Sequence, residues 1–204
     1  MLAHAVEEFV RMSLPPPPAR VLDVGAGEGE LAAVLVDAGY DVVAIDPAGE
    51  GEVVPVALAD LDEPDASFDA AVAVVSLHHV EPFAPSCRRL AEVVRPGGAL
   101  IVDEFDVGRF DEASAQWLLD RWRETGRERD RAPAEMVAEL RAHLHPLDTI
   151  RARLGRWFEL GPVARASYLY RWYLGEELRE AEEGLIAAGS LPQLGARFAG
   201  TRTG

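Results

Sequence analysis

The sequence predicts an α/β fold. The expected architecture is a doubly wound, seven-stranded sheet, mostly parallel with an antiparallel C-terminal strand, and carrying a small helical lid insertion. Three observations predict it. Short apolar runs without polar alternation recur ("RVLDVG", "DVVAID", "FDAAVAVVSL", "GALIVDEF"), as expected of strands covered on both faces. Helical patterns alternate with these runs, the arrangement of parallel α/β sheets. A glycine-rich loop directly follows the first run, where backbone N–H groups and a helix N-terminus attract a ligand.

Taken in order, residues 2–13 read as an amphipathic helix, with Leu2, Val6, Phe9 and Val10 at helical spacing. The run "PPPP" at 15–18 stops it and makes a stiff lead-in. "RVLDVG" is the first strand, and "EGELAAVLVDAG" is a helix closed by Gly39. "DVVAID" is the second strand and "VVPVAL" a third. Only "PAGEGE" separates those two, whereas a parallel crossover normally needs a dozen residues or more. The third is therefore either a short edge strand or no strand. "FDAAVAVVSL" is the fourth, "PSCRRLAEVV" a helix stopped by "RPGG", and "GALIVDEF" the fifth.

The alternation then pauses. "DEASAQWLLDRWRETG" and "PAEMVAELRAHL" read as helices joined by the charged "RERDRAP". Residues 106–156 are expected to cap the sheet, because they are too few to hold their own core. "FELGPVARASYLYRWYL" is a long strand-like run in which Tyr168, Tyr170 and Trp172 share one face and Leu169, Arg171 and Tyr173 the other. The helix "GEELREAEEGLIAAG" and the strand "LGARFAGTR" complete the expected sheet. The whole of 1–204 is expected to be a single domain, with 1–19 as N-terminal helix and proline-rich lead-in.

The formal charge of −15 over 204 residues argues against nucleic acid as a partner. The absence of lysine and asparagine is explained by a GC-rich genome, since the codons for both are AT-rich. The single Cys87 excludes an internal disulfide and a multi-cysteine zinc site. No apolar run reaches membrane-spanning length, and "MLAHAVEEFVRM" is unlike a signal peptide. A cytoplasmic location without membrane association is the expectation. His4, His143 and His145 lack companions at metal-ligand spacing, so no metal is assigned.

The loop's chemistry is specific. A dinucleotide fingerprint is G-x-G-x-x-G, but here the glycines are 25, 27 and 29, with Glu30 where the last glycine belongs. A pyrophosphate beside Asp23, Glu28 and Glu30 would meet like charge, whereas a cationic ligand would be attracted. S-adenosyl-L-methionine carries an ammonium and a sulfonium, and no phosphate.

"VLDVGAGEGEL" resembles the first motif of class I S-adenosylmethionine-dependent methyltransferases, a Rossmann-like family whose core there is (D/E)-x-G-x-G-x-G. The resemblance covers residues 18–106, through "VVAIDP", "ADLDEPDASFDAAVAVVSLHHV" and "RRLAEVVRPGGALIVDEF", and extends weakly to the C-terminal strand–helix–strand through "EEGLIAAGSLPQLG". It implies a cofactor site made of Asp23, Gly25, Ala26, Gly27 and Gly29 around the methionyl moiety. Asp46 and Pro47 would stand at the ribose, Asp60 and Leu61 at the adenine edge, and Ser76 beside the cofactor. S-adenosyl-L-homocysteine would be the product. Two departures stand out: the missing helix after Asp46, and the short N-terminal segment, which makes 106–156 the expected lid.

Methyl transfer is an in-line displacement in which positioning supplies much of the catalysis. A base is needed only where the acceptor must lose a proton. His78 and His79 follow the fourth strand, near their working pKa, and spacing does not choose between them. Packing of one under the lid and exposure of the other is the plainer alternative. Asp103 and Glu104 end the fifth strand, where one carboxylate can orient a histidine or bind a cationic acceptor, or simply cap a loop. Trp117 and Trp122 fit an acceptor wall or lid packing equally.

No N-P-P-Y or D-P-P-Y follows the fourth strand, so the acceptor is expected to be a small molecule. A cofactor-binding protein without catalysis and a nicotinamide-dependent oxidoreductase are the competing readings.

Overall fold

The apolar runs form one mixed sheet. β1 (Arg20–Val24) lies between β2 (Asp41–Ile45) and β3 (Phe68–Val74), parallel to both, and β4 (Val94–Phe105) is parallel to β3. β5 (Phe158–Leu160) and β6 (Ala164–Ala166) are short, and both run antiparallel to β7 (Gly195–Arg202), which is itself antiparallel to β4. The order is β2-β1-β3-β4-β7-β5, with β6 also on β7. This computed structural model describes residues 3–127, 131–172 and 174–204. Leu2, Tyr173 and Glu128 to Asp130 of the charged join lie outside the described residues.

Helices α1 (His4–Ser13) and α2 (Glu30–Asp37) cover one face, placing Val6, Val10, Leu31 and Leu35 on Val21, Ala70, Val72 and Ile101. The other face, with Leu22, Val24, Ala71, Ala73 and Val102, is covered by α3 (Phe83–Val93) and two later elements. Each fully buried aliphatic side chain contributes about 1.5–3 kcal/mol through water exclusion. α4 (Glu112–Glu124) and α5 (Pro133–His143) build a second core over the carboxyl end of β4, centred on Phe105, Phe110, Leu118, Leu119 and Met136. Asp111 caps α4 by accepting the Ser114 N–H at 2.8 Å, and Pro133 opens α5. The last helix is α7 (Arg179–Ala187), which follows α6 (Leu147–Leu154).

Four expectations are corrected. "VVPVAL" is not a strand: Val54 makes one isolated parallel bridge to Ile45, and the chain then turns through a 3-10 segment at Leu58–Asp60. The six-residue spacer is too short for a full crossover. The sheet reaches seven strands by another route, because the run after Phe158 breaks into β5 and β6. The expected cap also divides. α6, for which the sequence predicts no element, buries Leu147, Ile150 and Leu154 in the α3-side core, so only α4 and α5 form the cap.

Finally, "YLYRWY" is not a strand. The fully buried carboxylate of Glu182 on α7 accepts three successive N–H groups, from Tyr168 (2.7 Å), Leu169 (3.0 Å) and Tyr170 (2.9 Å). A strand directs successive N–H groups to opposite sides. Here they converge, and Leu169–Arg171 is a 3-10 turn.

Candidate functional site

The carboxyl ends of β1, β2 and β3 open onto a cleft with two lobes, as open α/β sheets do. After Val24 the chain turns through Gly25, Gly27 and Gly29, all with positive φ (67°, 55° and 80°). The N–H groups of Gly25 and Ala26 both donate to the Ile45 carbonyl, at 2.8 and 3.0 Å, which ties the loop to β2. Gly25 is required for a second reason. A Cβ there would overlap the Ser76 Cβ, so only glycine lets this loop approach the one after β3.

Asp46 joins the walls: its carboxylate accepts from Gly27 N (3.1 Å) and Ala48 N (2.8 Å). With roughly four lone-pair positions on a carboxylate, two remain for a ligand. The first lobe, about 270 Å³, is lined by Gly25, Asp46, Pro47, Ala57, Leu58 and Ser76, among others. The second, about 310 Å³, is lined by Asp23, Gly25, Ala26, Glu28, Glu30, Leu31 and Val74.

Two buried oxygens in these walls, Asp23 Oδ2 and Ser76 Oγ, have no hydrogen-bond partner among the described residues. Asp23 is 2% exposed, and burial pushes its carboxyl up from an ordinary 3.8 to about 7. A buried carboxylate without a partner is a costly arrangement, relieved by a cation or a hydrogen-bond donor.

A third cavity, about 330 Å³, lies under the cap and shares Val75 and His79 with the first lobe. Val75, the residue directly after β3, has φ 53°, strained for a β-branched residue, and its N–H donates to the Asp103 carbonyl at 2.7 Å. Phe105, Tyr168 and Trp172 line one side, joined by Leu140 of α5, Leu144 just after it, His78 and Arg171. Trp117 and Trp122 are not in this lining. They pack against the cap core, and Trp122 Nε1 donates to the Trp172 carbonyl at 3.2 Å.

Behind the cavity Glu104 is fully buried with four donors. Ser76 N (3.0 Å) and Leu77 N (2.6 Å) donate to one oxygen; Phe105 N (3.1 Å) and His78 Nδ1 (2.5 Å) donate to the other. An ionised carboxylate only accepts, so Nδ1 of His78 carries a proton, and in the neutral tautomer Nε2 is the free basic atom. His79 is exposed, its ring centroid 4.2 Å from that of His78. Desolvation against the neighbouring groups, reinforced by the adjacent His78, holds its pKa below the usual imidazole value.

Asp103, on the opposite side of β4, accepts from Arg171 Nη1 and Arg197 Nε, each at 2.6 Å. It is therefore not available to a cationic acceptor. His145 clamps the α5–α6 turn onto the loop after β3: its N–H donates to the His78 carbonyl at 3.0 Å, and its ring stacks on Phe83. Cys87 is buried and its thiol is pushed up to about 12, which makes it unreactive. No group of three or more His, Cys, Asp or Glu among the described residues is arranged to hold a metal.

The structure thus brings Asp23, Gly25, Ala26, Asp46, Pro47, Ser76 and His79 to the two-lobed cleft and His78 to the adjoining cavity, with Glu104 behind it. Gly27 and Gly29 shape the loop without lining either lobe. Asp60 is exposed in the 3-10 segment and Leu61 is buried in the α3-side core, so neither lines the cleft. Ala57 and Leu58 stand there instead. Those two, and Val75, were missed by sequence reasoning. The signal lay in "VVPVAL", whose apolar pattern serves a wall rather than a strand.

A family model described as "Methyltransferase domain" matches residues 2–156. The chain belongs to this family. Among curated relatives of the methyltransferase domain, an uncharacterized methyltransferase of Mycobacterium tuberculosis is 38% identical over 104 residues, covering 46% of this chain and 42% of that protein. The ubiquinone biosynthesis O-methyltransferase of Azorhizobium caulinodans is 33% identical over 145 residues, covering 60% of this chain and 57% of that one. The chain spans about half the length of the curated relatives it matches. Among solved structures, an S-adenosylmethionine dependent methyltransferase from Mesorhizobium loti superposes with a TM-score of 0.62 at 18% identity, covering 98% of this chain and 99% of that one. The 1,6-didemethyltoxoflavin-N1-methyltransferase of Burkholderia thailandensis gives 0.54 at 17% identity, covering 98% and 78%. These likenesses show the class I methyltransferase fold.

Proposed function

We propose that the chain transfers a methyl group from S-adenosyl-L-methionine to a small-molecule acceptor. The observation that carries this reading is the buried, unpartnered carboxylate of Asp23 at the glycine loop, which fits an ammonium and disfavours the pyrophosphate of a dinucleotide. Asp46 has two acceptor positions left for paired ribose hydroxyls, and Pro47, Ala57 and Leu58 offer an apolar wall to a base. When bound, the cofactor supplies an electrophilic methyl on sulfur. The cavity under the cap is the acceptor site in this reading, and Val75 stands between it and the cofactor cleft. The name of the ubiquinone biosynthesis relative and that of the toxoflavin fold neighbour support a small acceptor, and the net charge of −15 speaks against nucleic acid. Among the described residues no helix is long and apolar enough to cross a membrane.

Glu104 acts through His78. By fixing the proton on Nδ1 it leaves Nε2 to take a proton from an acceptor hydroxyl, and His79, its pKa lowered by desolvation, is the second candidate base. The test is Glu104→Gln. The amide oxygen still serves Ser76 and Leu77, while the NH₂ group faces His78 and leaves the Phe105 N–H unpaired, so Nδ1 must accept and Nε2 must carry the proton. A wrong tautomer of this kind removes the base without removing the ring. Acceptor turnover, followed by S-adenosylhomocysteine release across a panel of phenols and amines, should fall about 10²–10⁴-fold with cofactor binding unchanged. An unchanged kcat would remove His78 from the chemistry.

A further inference from the structure

We infer that Val75 holds this site to a methyl-sized group: its side chain sets the width of the passage between sulfur and acceptor and excludes larger alkyl groups from it. The inference rests on reading the two-lobed cleft as the S-adenosyl-L-methionine site and the cavity under the cap as the acceptor site. The linings of the first lobe and of that cavity have two residues in common, Val75 and His79. In-line transfer sends the substituent on sulfur across this boundary, with the reacting atoms about 3–3.5 Å apart. His79 is exposed, whereas Val75 is half-buried and packs against the cap core. A β-branched side chain also has little rotamer freedom. Of the two, Val75 is the fixed one.

The backbone shows what this position retains. Val75 has φ 53°, a left-handed conformation that glycine adopts without cost and a β-branched residue does not. Among the described residues the only other non-glycine in that region is Ala66, which has no branch at Cβ. Three successive N–H groups over-determine the turn by donating to the end of β4. Val75 donates to the Asp103 carbonyl (2.7 Å), and Ser76 (3.0 Å) and Leu77 (2.6 Å) donate to the Glu104 carboxylate. Those bonds are made by the main chain and would hold glycine equally well. Strain sustained by its surroundings in this way is concentrated at functional positions. What valine adds over glycine is the isopropyl group, and that group stands on the boundary between the two spaces. Packing of the cap would use it too, but that role is indifferent to the group on sulfur.

The experiment is calorimetric titration of the chain, without acceptor, with S-adenosyl-L-methionine and S-adenosyl-L-ethionine, which differ by one methylene on sulfur. The parent should bind the ethyl compound about tenfold or more weakly. Val75→Gly should bring the ratio close to one, and Val75→Ala should lie between. Val75→Thr, of the same shape, should keep the parent ratio. A valine that served only to pack the cap would, when removed, weaken both compounds alike and leave the ratio where it was. Equal binding of the two compounds by the parent would overturn the inference without any variant, so the matter is decided even if a variant misfolds. A ratio unchanged in Val75→Gly and Val75→Ala, or moved as far by Val75→Thr, would also overturn it, and the cofactor reading would then stand. Failure of S-adenosyl-L-methionine itself to bind would overturn both.

Discussion

Replacing Asp23 by Asn should make the chain more stable and a worse binder. Asp23 is 2% exposed, and burial alone raises its carboxyl from 3.8 to about 7. In the unfolded chain the group ionises near its ordinary value. Between about pH 4 and 7 the folded state therefore keeps a proton that the unfolded state has lost, and stability falls as pH rises through that window. Roughly three pKa units at about 1.4 kcal/mol each give an upper bound of about 4 kcal/mol, fully lost above about pH 7. Asn keeps the shape and cannot ionise. Urea denaturation should find Asp23→Asn more stable than the parent by up to about 4 kcal/mol at about pH 8, and within about 1 kcal/mol of it near pH 4. Affinity for S-adenosylmethionine should move the other way, weakening about 10–100-fold for loss of a charged hydrogen bond. Other groups titrate equally in both proteins, so the difference isolates Asp23. Identical pH slopes in the two proteins would refute the reasoning.

Two further substitutions separate loop geometry from pocket geometry. Gly25→Ala adds a Cβ that overlaps Ser76 and must adopt φ near 67°, so the loop has to move. The strain is about 1–2 kcal/mol, and calorimetry should show cofactor affinity lowered by about 5–30-fold in a chain that still folds. Glu182→Ala strands three buried N–H groups, at a cost of about 3–5 kcal/mol in chemical denaturation. Limited proteolysis should locate the damage at Tyr168 to Arg171, with cofactor binding unchanged.

The cofactor side of the site was legible because its parts are local. Apolar runs announce β1 and β2, and the three glycines and Asp46 follow them directly in sequence. The acceptor side was not, because its parts meet only in three dimensions. Asp103 finds Arg171 and Arg197 across 68 and 94 residues, and no pattern around "VDEF" announces them. "YLYRWY" has the alternation of a strand, and only a glutamate from α7 folds it into a turn. α6 did carry a signal, Leu147, Ile150 and Leu154 at helical spacing, hidden by its position directly after a longer helix. Val75 is apolar like its neighbours in β3, so nothing in its identity reveals the backbone reversal that makes it a cavity wall.

The most direct measurement is calorimetric titration of the purified chain with S-adenosylmethionine, S-adenosylhomocysteine and NAD, with Asp46→Ala in parallel. Both sulfur compounds should bind, NAD should not, and the substitution should weaken binding strongly. Binding of NAD without binding of the sulfur compounds would mean that the carboxylate-lined glycine loop has been misread, and methyl transfer would fall with it.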